Sequence, residues 1–422
     1  MTTKKVKKLV VTTPQGVAGL LYHEVRYSFN YTSGNRLTEV SLLMPIRHES
    51  YASGILPGVF YMNRPEGFLL QKIMNRFAKH GGLNDMQLLS LVGNNQIGRL
   101  SYADPDVSKI TQSKPQIGLN DLLNKQPTQA LFDFLVETYL NSGISGVQPK
   151  VMVPDADIQN VDFKATVAHS NLIVKSGGEE YPSLTQNEFL CMDAARRSGI
   201  QVPDFWLSND GGLFIMDRFD LSDGNQLGFE DMAILTGKQP DPHGTYKYKG
   251  SYENIATAIT LFCRDDAADS KQRLFEYIAL SVMVRNGDAH LKNFGLLYEH
   301  PASSSTPRLS PLYDVVTTSV YPHTNSRTGL VQFDRSLALK LNKEKTYPLR
   351  KTLTKFGSDI CHVPDPESVI DRIATGMSES LSENKERINQ EFFKLMSSEW
   401  DAGRMSVEPD RIFQSRPSTP RT

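Results

Sequence analysis

Three polar side chains stand in an order that suits phosphoryl transfer. Asp288 and Asn293 lie in the run Asn286-Gly287-Asp288-Ala289-His290-Leu291-Lys292-Asn293. The apolar segment Phe275 to Val284 precedes this run, and Phe294-Gly295-Leu296-Leu297 follows it. Further on, Asp314 sits in Pro311-Leu312-Tyr313-Asp314-Val315-Val316. One carboxylate would orient an attacking hydroxyl and take its proton. An amide oxygen and a second carboxylate would hold Mg²⁺ beside the triphosphate of ATP. An Asp and an Asn at this spacing are common by chance, and a polar turn with Asp288 as a cap explains Asn-Gly-Asp. That reading needs neither Lys292 and Asn293 on the same loop nor a second acid among apolar residues. An Asp in such company is costly to bury unless it is paired or metal-bound; capping the segment that holds Thr317 and Thr318 is its other reading. Lys292 would balance charge near the transferring phosphoryl group, and His290 reads as a prop of the loop.

A triphosphate also needs a cation on a strand and an acid to position it. Lys175 closes the apolar stretch Asn171-Leu172-Ile173-Val174, and Glu188 follows on a helix-like segment. A Lys at a strand end is also at home in solvent. Asn141 to Lys150 carries Gly143 and Gly146 with Ser142, Ser145, Gln148 and Lys150. Glycine lets backbone N–H groups approach phosphate oxygens. The run is neither GxxxxGK[ST] nor GxGxxG, and a helix stop explains Ser142-Gly143 equally well. Met216-Asp217-Arg218-Phe219-Asp220 follows an apolar strand, where a hinge facing adenine would lie; its other reading is a strand end with a surface Arg–Asp pair.

The elements that must place these residues change character along the chain. Residues 6–43 read as strands, with Tyr27-Ser28-Phe29-Asn30-Tyr31 alternating at period two. Phe68 to Phe77 and Asn84 to Leu91 read as helical, and Ile97 to Tyr102 as strand. A small α+β module is expected over residues 1–105. Residues 103–128 are polar and carry Pro105, Pro115 and Pro127, as a linker would. A lobe core with the phosphate loop is expected over 129–219, including an amphipathic helix at Gln129 to Leu140. Asp210-Gly211-Gly212 between Phe205-Trp206-Leu207 and Leu213-Phe214-Ile215-Met216 signals a hairpin. Thr185 to Ser198 reads as a helix stopped by Gly199. A helical lobe is expected over 220–405, with helices at Tyr252 to Cys263, Lys271 to Val284, Pro366 to Ala374 and Glu383 to Met396. A disordered tail is expected over 406–422.

Composition narrows the function classes. Formal net charge over 422 residues is −1, so no global field favours nucleic acid or an acidic membrane. Cys191, Cys263 and Cys361 form no CxxC, against a disulfide framework or a zinc site. No apolar stretch is long enough for a membrane span, and the start lacks the apolar core of a signal peptide. A cytoplasmic protein is expected.

These motifs, in this order, resemble the HipA-like Ser/Thr kinases, toxins of type II toxin–antitoxin systems. Gly143 to Lys150, Leu172 to Lys175, Asn187-Glu188-Phe189, Asp217 to Asp220, Glu230-Asp231-Met232, Gly287 to Phe294 and Leu312 to Val315 carry the resemblance. In the front module Leu89-Ser90-Leu91-Val92-Gly93 and Ile97-Gly98 add to it. The likeness spans about residues 6 to 400. It implies an α+β, two-lobed protein-kinase-like fold with a small N-terminal module and a mainly helical C-terminal lobe.

The resemblance also implies a function: phosphorylation of a protein Ser or Thr with ATP and Mg²⁺. The expected target is a translation component such as an aminoacyl-tRNA synthetase, with growth arrest and persistence as the outcome. A helix-turn-helix antitoxin is the expected partner, with DNA reached only through it and no membrane. By position, Asp288 is the proton acceptor, Asn293 and Asp314 the Mg²⁺ ligands, and Glu188 the group that positions Lys175. ATP contacts fall on Ser145, Gly146, Val147, Gln148, Pro149, Lys150, Lys175, Asp217, Arg218, Phe219, His290, Leu291, Lys292, Asn293, Tyr313 and Asp314. Many relatives carry a self-phosphorylated Ser where this chain has Gly143. Ser145 is therefore the expected self-modified residue here, with Ser142 as runner-up; a phosphate there would repel nucleotide and switch the kinase off. Two rival readings stand beside this one: a pseudokinase acting as co-repressor, and a small-molecule kinase, which also uses an Asp and an Asn at this spacing.

Overall fold

The computed structural model describes residues 6–66, 70, 73–74, 83–93, 96–106, 119–124, 150–153, 172–177, 181–222, 224–241, 243–324 and 329–408. The first strand, β1 (Lys8–Thr13), alternates half-buried and buried positions and turns Leu9 and Val11 inward. It pairs antiparallel with β2 (Gly16–His23), which pairs with β3 (Tyr27–Tyr31) and so with β4 (Tyr51–Ser53). β5 (Ser101–Ala103) closes the other edge of β1. The sheet order is β4-β3-β2-β1-β5. Helix α1 (Asp85–Val92) starts at a reciprocal capping box, in which Asn84 accepts from the Gln87 N–H and Gln87 accepts from the Asn84 N–H. Met86 and Leu89 join Leu9, Val11, Leu21, Phe29, Phe60 and Tyr102 in a core of the module's own.

The next sheet is β6 (Lys150–Val153), β7 (Leu172–Ser176), β8 (Phe205–Leu207) and β9 (Leu213–Asp217), antiparallel in the order β6-β7-β9-β8. β7 lies between two strands and all five of its residues are buried. The expected hairpin is present as β8 and β9, and its turn holds Gly211 at φ +71°. Helix α2 (Leu184–Arg197) ends with Gly199 at φ +68°, the left-handed position that favours glycine. Strand β10 (Gly228–Asp231) pairs with β11 (Gly295–Tyr298), which pairs with β12 (Arg308–Leu309).

The helical half consists of α3 (Tyr252–Cys263), α4 (Ala267–Met283), α5 (Pro366–Asn384) and α6 (Gln390–Ser406). α4 is buried without a break from Leu274 to Met283, and its last turn leads into the 286–293 loop. α6 crosses it so closely that a Cβ on Gly403 would lie 1.8 Å from the Met283 carbonyl oxygen. The expected helix at Glu383 to Met396 is corrected. α5 runs on to Asn384, and Asn389 restarts the chain by accepting from the N–H groups of Glu391 and Phe392. Ser406 closes α6 and Val407 is buried, so the folded lobe runs past 405; residues 409–422 lie outside the described residues, as does the helix expected at 129–140. Among the described residues no helix is long and apolar enough to cross a membrane.

The front module is joined to the lobes by buried polar groups. Glu230, fully buried on β10, accepts from the Ser41 hydroxyl at 2.7 Å, the Leu42 N–H at 2.8 Å and the Tyr298 hydroxyl at 2.6 Å. Burial pushes its pKa up while the three donors oppose the shift. Arg218 forms a two-pronged pair with Asp220 and also donates to the Gln96 carbonyl; Asp220 in turn accepts from the Gly98 N–H at 2.6 Å. This Arg–Asp pair is buried, not a surface pair.

Candidate active site

Lys175 leaves the inner strand β7 with its ammonium between two acids from distant parts of the chain. It pairs with Glu188 of α2 and, at 2.5 Å, with Asp314. The ammonium and Glu188 are buried, whereas the Asp314 side chain is 31% exposed. Burial alone would lower the Lys175 pKa; the Asp314 and Glu188 carboxylates outweigh it and push the value up to about 12. The site therefore holds a fixed cation. Asp314 adopts φ +58°, a left-handed conformation that costs an ordinary residue energy and clusters at functional sites.

The helix that carries Glu188 is tied to the segment that carries Asp314. Asn187 donates to the Thr317 carbonyl at 3.0 Å and accepts from the Thr317 N–H at 2.7 Å. The Trp400 indole N–H of α6 donates to the Thr317 hydroxyl at 2.8 Å. Both acids that face Lys175 are thus positioned through one buried contact.

The 286–293 loop lies against the same segment. Asn286 accepts from the Asp288 N–H, and the Gly287 N–H donates to the Thr318 hydroxyl at 2.7 Å. A Cβ on Gly287 would come within 2.6 Å of the Ser336 carbonyl oxygen, so the approach requires glycine. The Asn293 amide donates to the carbonyls of Asp288 at 3.1 Å and Asp314 at 3.3 Å. With both donors engaged, its oxygen is the end left for a cation. An amide oxygen with one partly exposed carboxylate is a hard-oxygen set that suits Mg²⁺ completed by phosphate oxygens. Among the described residues no group of three or more His, Cys, Asp or Glu is placed to hold a metal without such help.

Asp288 stands 46% exposed at the mouth of this cluster. Surrounding protein raises its pKa, as do Asp314 and Asp334, while a hydrogen bond from the Tyr248 hydroxyl and the charge of Lys247 oppose the rise. His290 is buried with its Nε2 4.0 Å from an Asp288 carboxylate oxygen. Burial, then Lys247 and Lys292, hold its pKa well below the usual range, so the ring is neutral at pH 7. Leu291 is buried and its backbone begins a short turn. Lys292 pairs at 2.7 Å with Glu66 of the front module, a link that sequence spacing does not reveal. The Tyr313 hydroxyl donates to the Lys292 carbonyl, and the Tyr313 ring stacks on Phe219 with centroids 4.8 Å apart. Where a hinge is expected, Asp217 ends β9, its N–H bonded to the Asp204 carbonyl. The Arg218 guanidinium is turned into the interior against Asp220.

The run expected to cover phosphates, Ser145 to Pro149 with Gly143 and Ser142, lies outside the described residues. The strand after it does not: Lys150 is directly opposite Lys175 in the β6–β7 register, so the loop feeds into the strand beside the buried cation. Tyr248 is the residue that sequence reasoning missed. Its hydroxyl donates to Asp288 at 2.7 Å from a turn at Thr245–Tyr248.

The HipA-like C-terminal domain matches residues 142–384, more than half of the chain, and the HipA N-terminal domain matches residues 9–103. This chain belongs to the HipA family. Over nearly its whole length it is similar in fold to HipA of Shewanella oneidensis, solved with HipB and its operator DNA: TM-score 0.65, 18% identity, covering 94% of this chain and 96% of that one. Two curated relatives carry provisional kinase names. The Haemophilus influenzae protein is 29% identical over 229 residues, 51% of this chain and 63% of its own length. The Sinorhizobium fredii protein Y4dM is 32% identical over 215 residues, 47% of this chain and 50% of its own. The matched regions thus span half to two thirds of these relatives. Family membership, the two-lobed HipA fold and the kinase-like relatives agree with the kinase reading of the sequence.

Proposed function

We propose that this HipA-family protein is an ATP- and Mg²⁺-dependent kinase of protein Ser or Thr hydroxyls, acting as the toxin of a toxin–antitoxin pair in the cytoplasm. The observation that carries the reading is the meeting of Glu188, Lys175 and Asp314 beside Asn293 and Asp288. In this reading the acceptor hydroxyl donates to Asp288 and its oxygen attacks the γ-phosphorus. The bond from that phosphorus to the β–γ bridging oxygen breaks, ADP leaves, and Asp288 takes the proton. Lys175, held by Glu188, binds the α- and β-phosphates. Asn293 and Asp314 would hold Mg²⁺, which when bound neutralises phosphate charge. The backbone of Asp217 to Phe219 and the Tyr313 region border the nucleotide, and Ser145 to Lys150 cover its phosphates.

The family resemblance supplies the finer proposals. The target is a translation component of the aminoacyl-tRNA synthetase class. A HipB-like antitoxin is the partner, by analogy with the Shewanella complex, and brings DNA with it. Self-phosphorylation on Ser145, or on Ser142, switches the enzyme off. Incubation with labelled ATP, Mg²⁺ and a bacterial cytosolic extract tests the core of the reading. A labelled acceptor that disappears with Asp288→Ala supports it. Equal ATP consumption by the wild type and the variant would sink it in favour of a pseudokinase.

A further inference from the structure

Tyr248 stands where an acceptor hydroxyl belongs. Its phenol donates to a carboxylate oxygen of Asp288 across 2.7 Å. In the transfer described above, the attacking hydroxyl donates to that same carboxylate. One donor at that oxygen hinders another.

The turn that presents Tyr248 is well braced. Asp241 accepts from the N–H groups of His243 and Thr245 and from the Thr245 hydroxyl. Tyr246 is buried and meets the ring of Tyr61, from the front module, edge-on at 6.0 Å. Beyond Tyr248, the Tyr252 hydroxyl donates to the Ala289 carbonyl at 3.1 Å, next to Asp288. The Tyr248 ring packs edge-on to His290 at 5.2 Å. The phenol is therefore set on Asp288 by contacts before it, beside it and after it. The pair nevertheless faces outward: Tyr248 is 36% exposed and the Asp288 side chain 46%. On the kinase reading, this is the side on which a protein acceptor would reach Asp288.

We propose, resting on the kinase reading, that Tyr248 is an acceptor-site gate: it occupies Asp288 in the substrate-free protein and is displaced by the incoming Ser or Thr hydroxyl. Displacement exchanges one hydroxyl donor for another, so the exchange itself is nearly neutral. A protein acceptor has further surface with which to drive it. Water has none, and the gate thereby suppresses wasteful ATP hydrolysis.

The experiment compares wild type, Tyr248→Phe and Asp288→Ala. Phe keeps the ring against His290 and removes only the hydroxyl. ADP release is measured with water as the sole acceptor, and phosphate transfer is measured to dephosphorylated casein. A hydrogen bond to a charged group is worth a factor of about ten. Tyr248→Phe is expected to lower KM for casein about tenfold, to leave kcat and KM for ATP within about twofold, and to raise ADP release to water several-fold. The unchanged KM for ATP reports an intact fold; Tyr248→Leu, lacking ring and hydroxyl, is expected to move KM for casein the same way. A lower kcat at unchanged KM for casein makes Tyr248 a support of Asp288 and overturns the gate. Rates equal to wild type overturn it as well. If wild type and Asp288→Ala transfer phosphate to casein alike, or neither does, the kinase reading itself fails and the gate falls with it.

Discussion

Asn187 and Thr317 exchange two hydrogen bonds, side chain to backbone in both directions, at 2.7 and 3.0 Å. They are separated by 130 positions in sequence and buried together. Their neighbours Glu188 and Asp314 face the same ammonium. Asn187→Leu would leave the Thr317 N–H and carbonyl without these partners. A loss of about 2 kcal/mol in stability is expected, read from urea unfolding. Phosphoryl transfer is expected to fall as well, because both acids around Lys175 lose their tie. A destabilised variant with wild-type turnover would show that the tie is structural only.

Lys175→Met should cost about 3–5 kcal/mol, because Glu188 is then buried without its cation. Adding Glu188→Leu removes the stranded charge and should return much of that stability. Nucleotide binding, followed by calorimetry with a non-hydrolysable ATP analogue, should stay lost in both variants. Recovery of binding in the double variant would contradict a phosphate-holding role for Lys175.

Asp288→Asn is expected to lower kcat for phosphoryl transfer by 10²- to 10⁴-fold, the usual scale for a positioned base. Affinity for the ATP analogue should hold, since Asp288 serves the acceptor side. A matching loss of nucleotide affinity would relocate Asp288 to the nucleotide side.

Asp231 predicts a pH dependence. It is buried at the start of the Met232–Leu235 helix, where it accepts from the Ile234 N–H. Burial raises its pKa from the ordinary 3.8 to about 6, against the opposing charge of Lys292 and bonds from Ile234 and Ala233, with Glu66 adding to the rise. The folded state therefore holds this proton more tightly than the unfolded chain. That stability is complete below about pH 4 and is lost as pH rises through about 6. Asp231→Asn keeps a good cap and should flatten this part of the stability profile, gaining up to about 3 kcal/mol at pH 7. Thermal melts from pH 4 to 8 read the difference; parallel profiles would refute it.

Much of this architecture was legible because the residues concerned obey local rules. Alternation marked the front strands, Asp210-Gly211-Gly212 marked a hairpin, and Gly199 marked the end of α2. The polar run at 286–293 was legible as a loop because it stands between two apolar segments, which the structure forms as α4 and β11. The break at 385–389 was not, since no Gly or Pro announces it; Asn389 makes it by capping two N–H groups. Tyr248 was invisible for a different reason. In Tyr246-Lys247-Tyr248-Lys249 nothing marks which tyrosine is buried against the front module and which reaches Asp288. Lys292 illustrates the same limit, since its partner Glu66 lies 226 positions away.

Glu230 has a consequence for how such a chain can be cut or recombined. Two of its three donors, Ser41 and Leu42, arrive from the front sheet's side of the molecule. A fragment beginning after residue 103 would open a carboxylate that the intact fold never shows to solvent. A graft of a foreign front sheet would leave that oxygen pair facing whatever lay opposite. A front part exchanged without loss would therefore have to bring a hydroxyl and a backbone N–H to the places of Ser41 and Leu42.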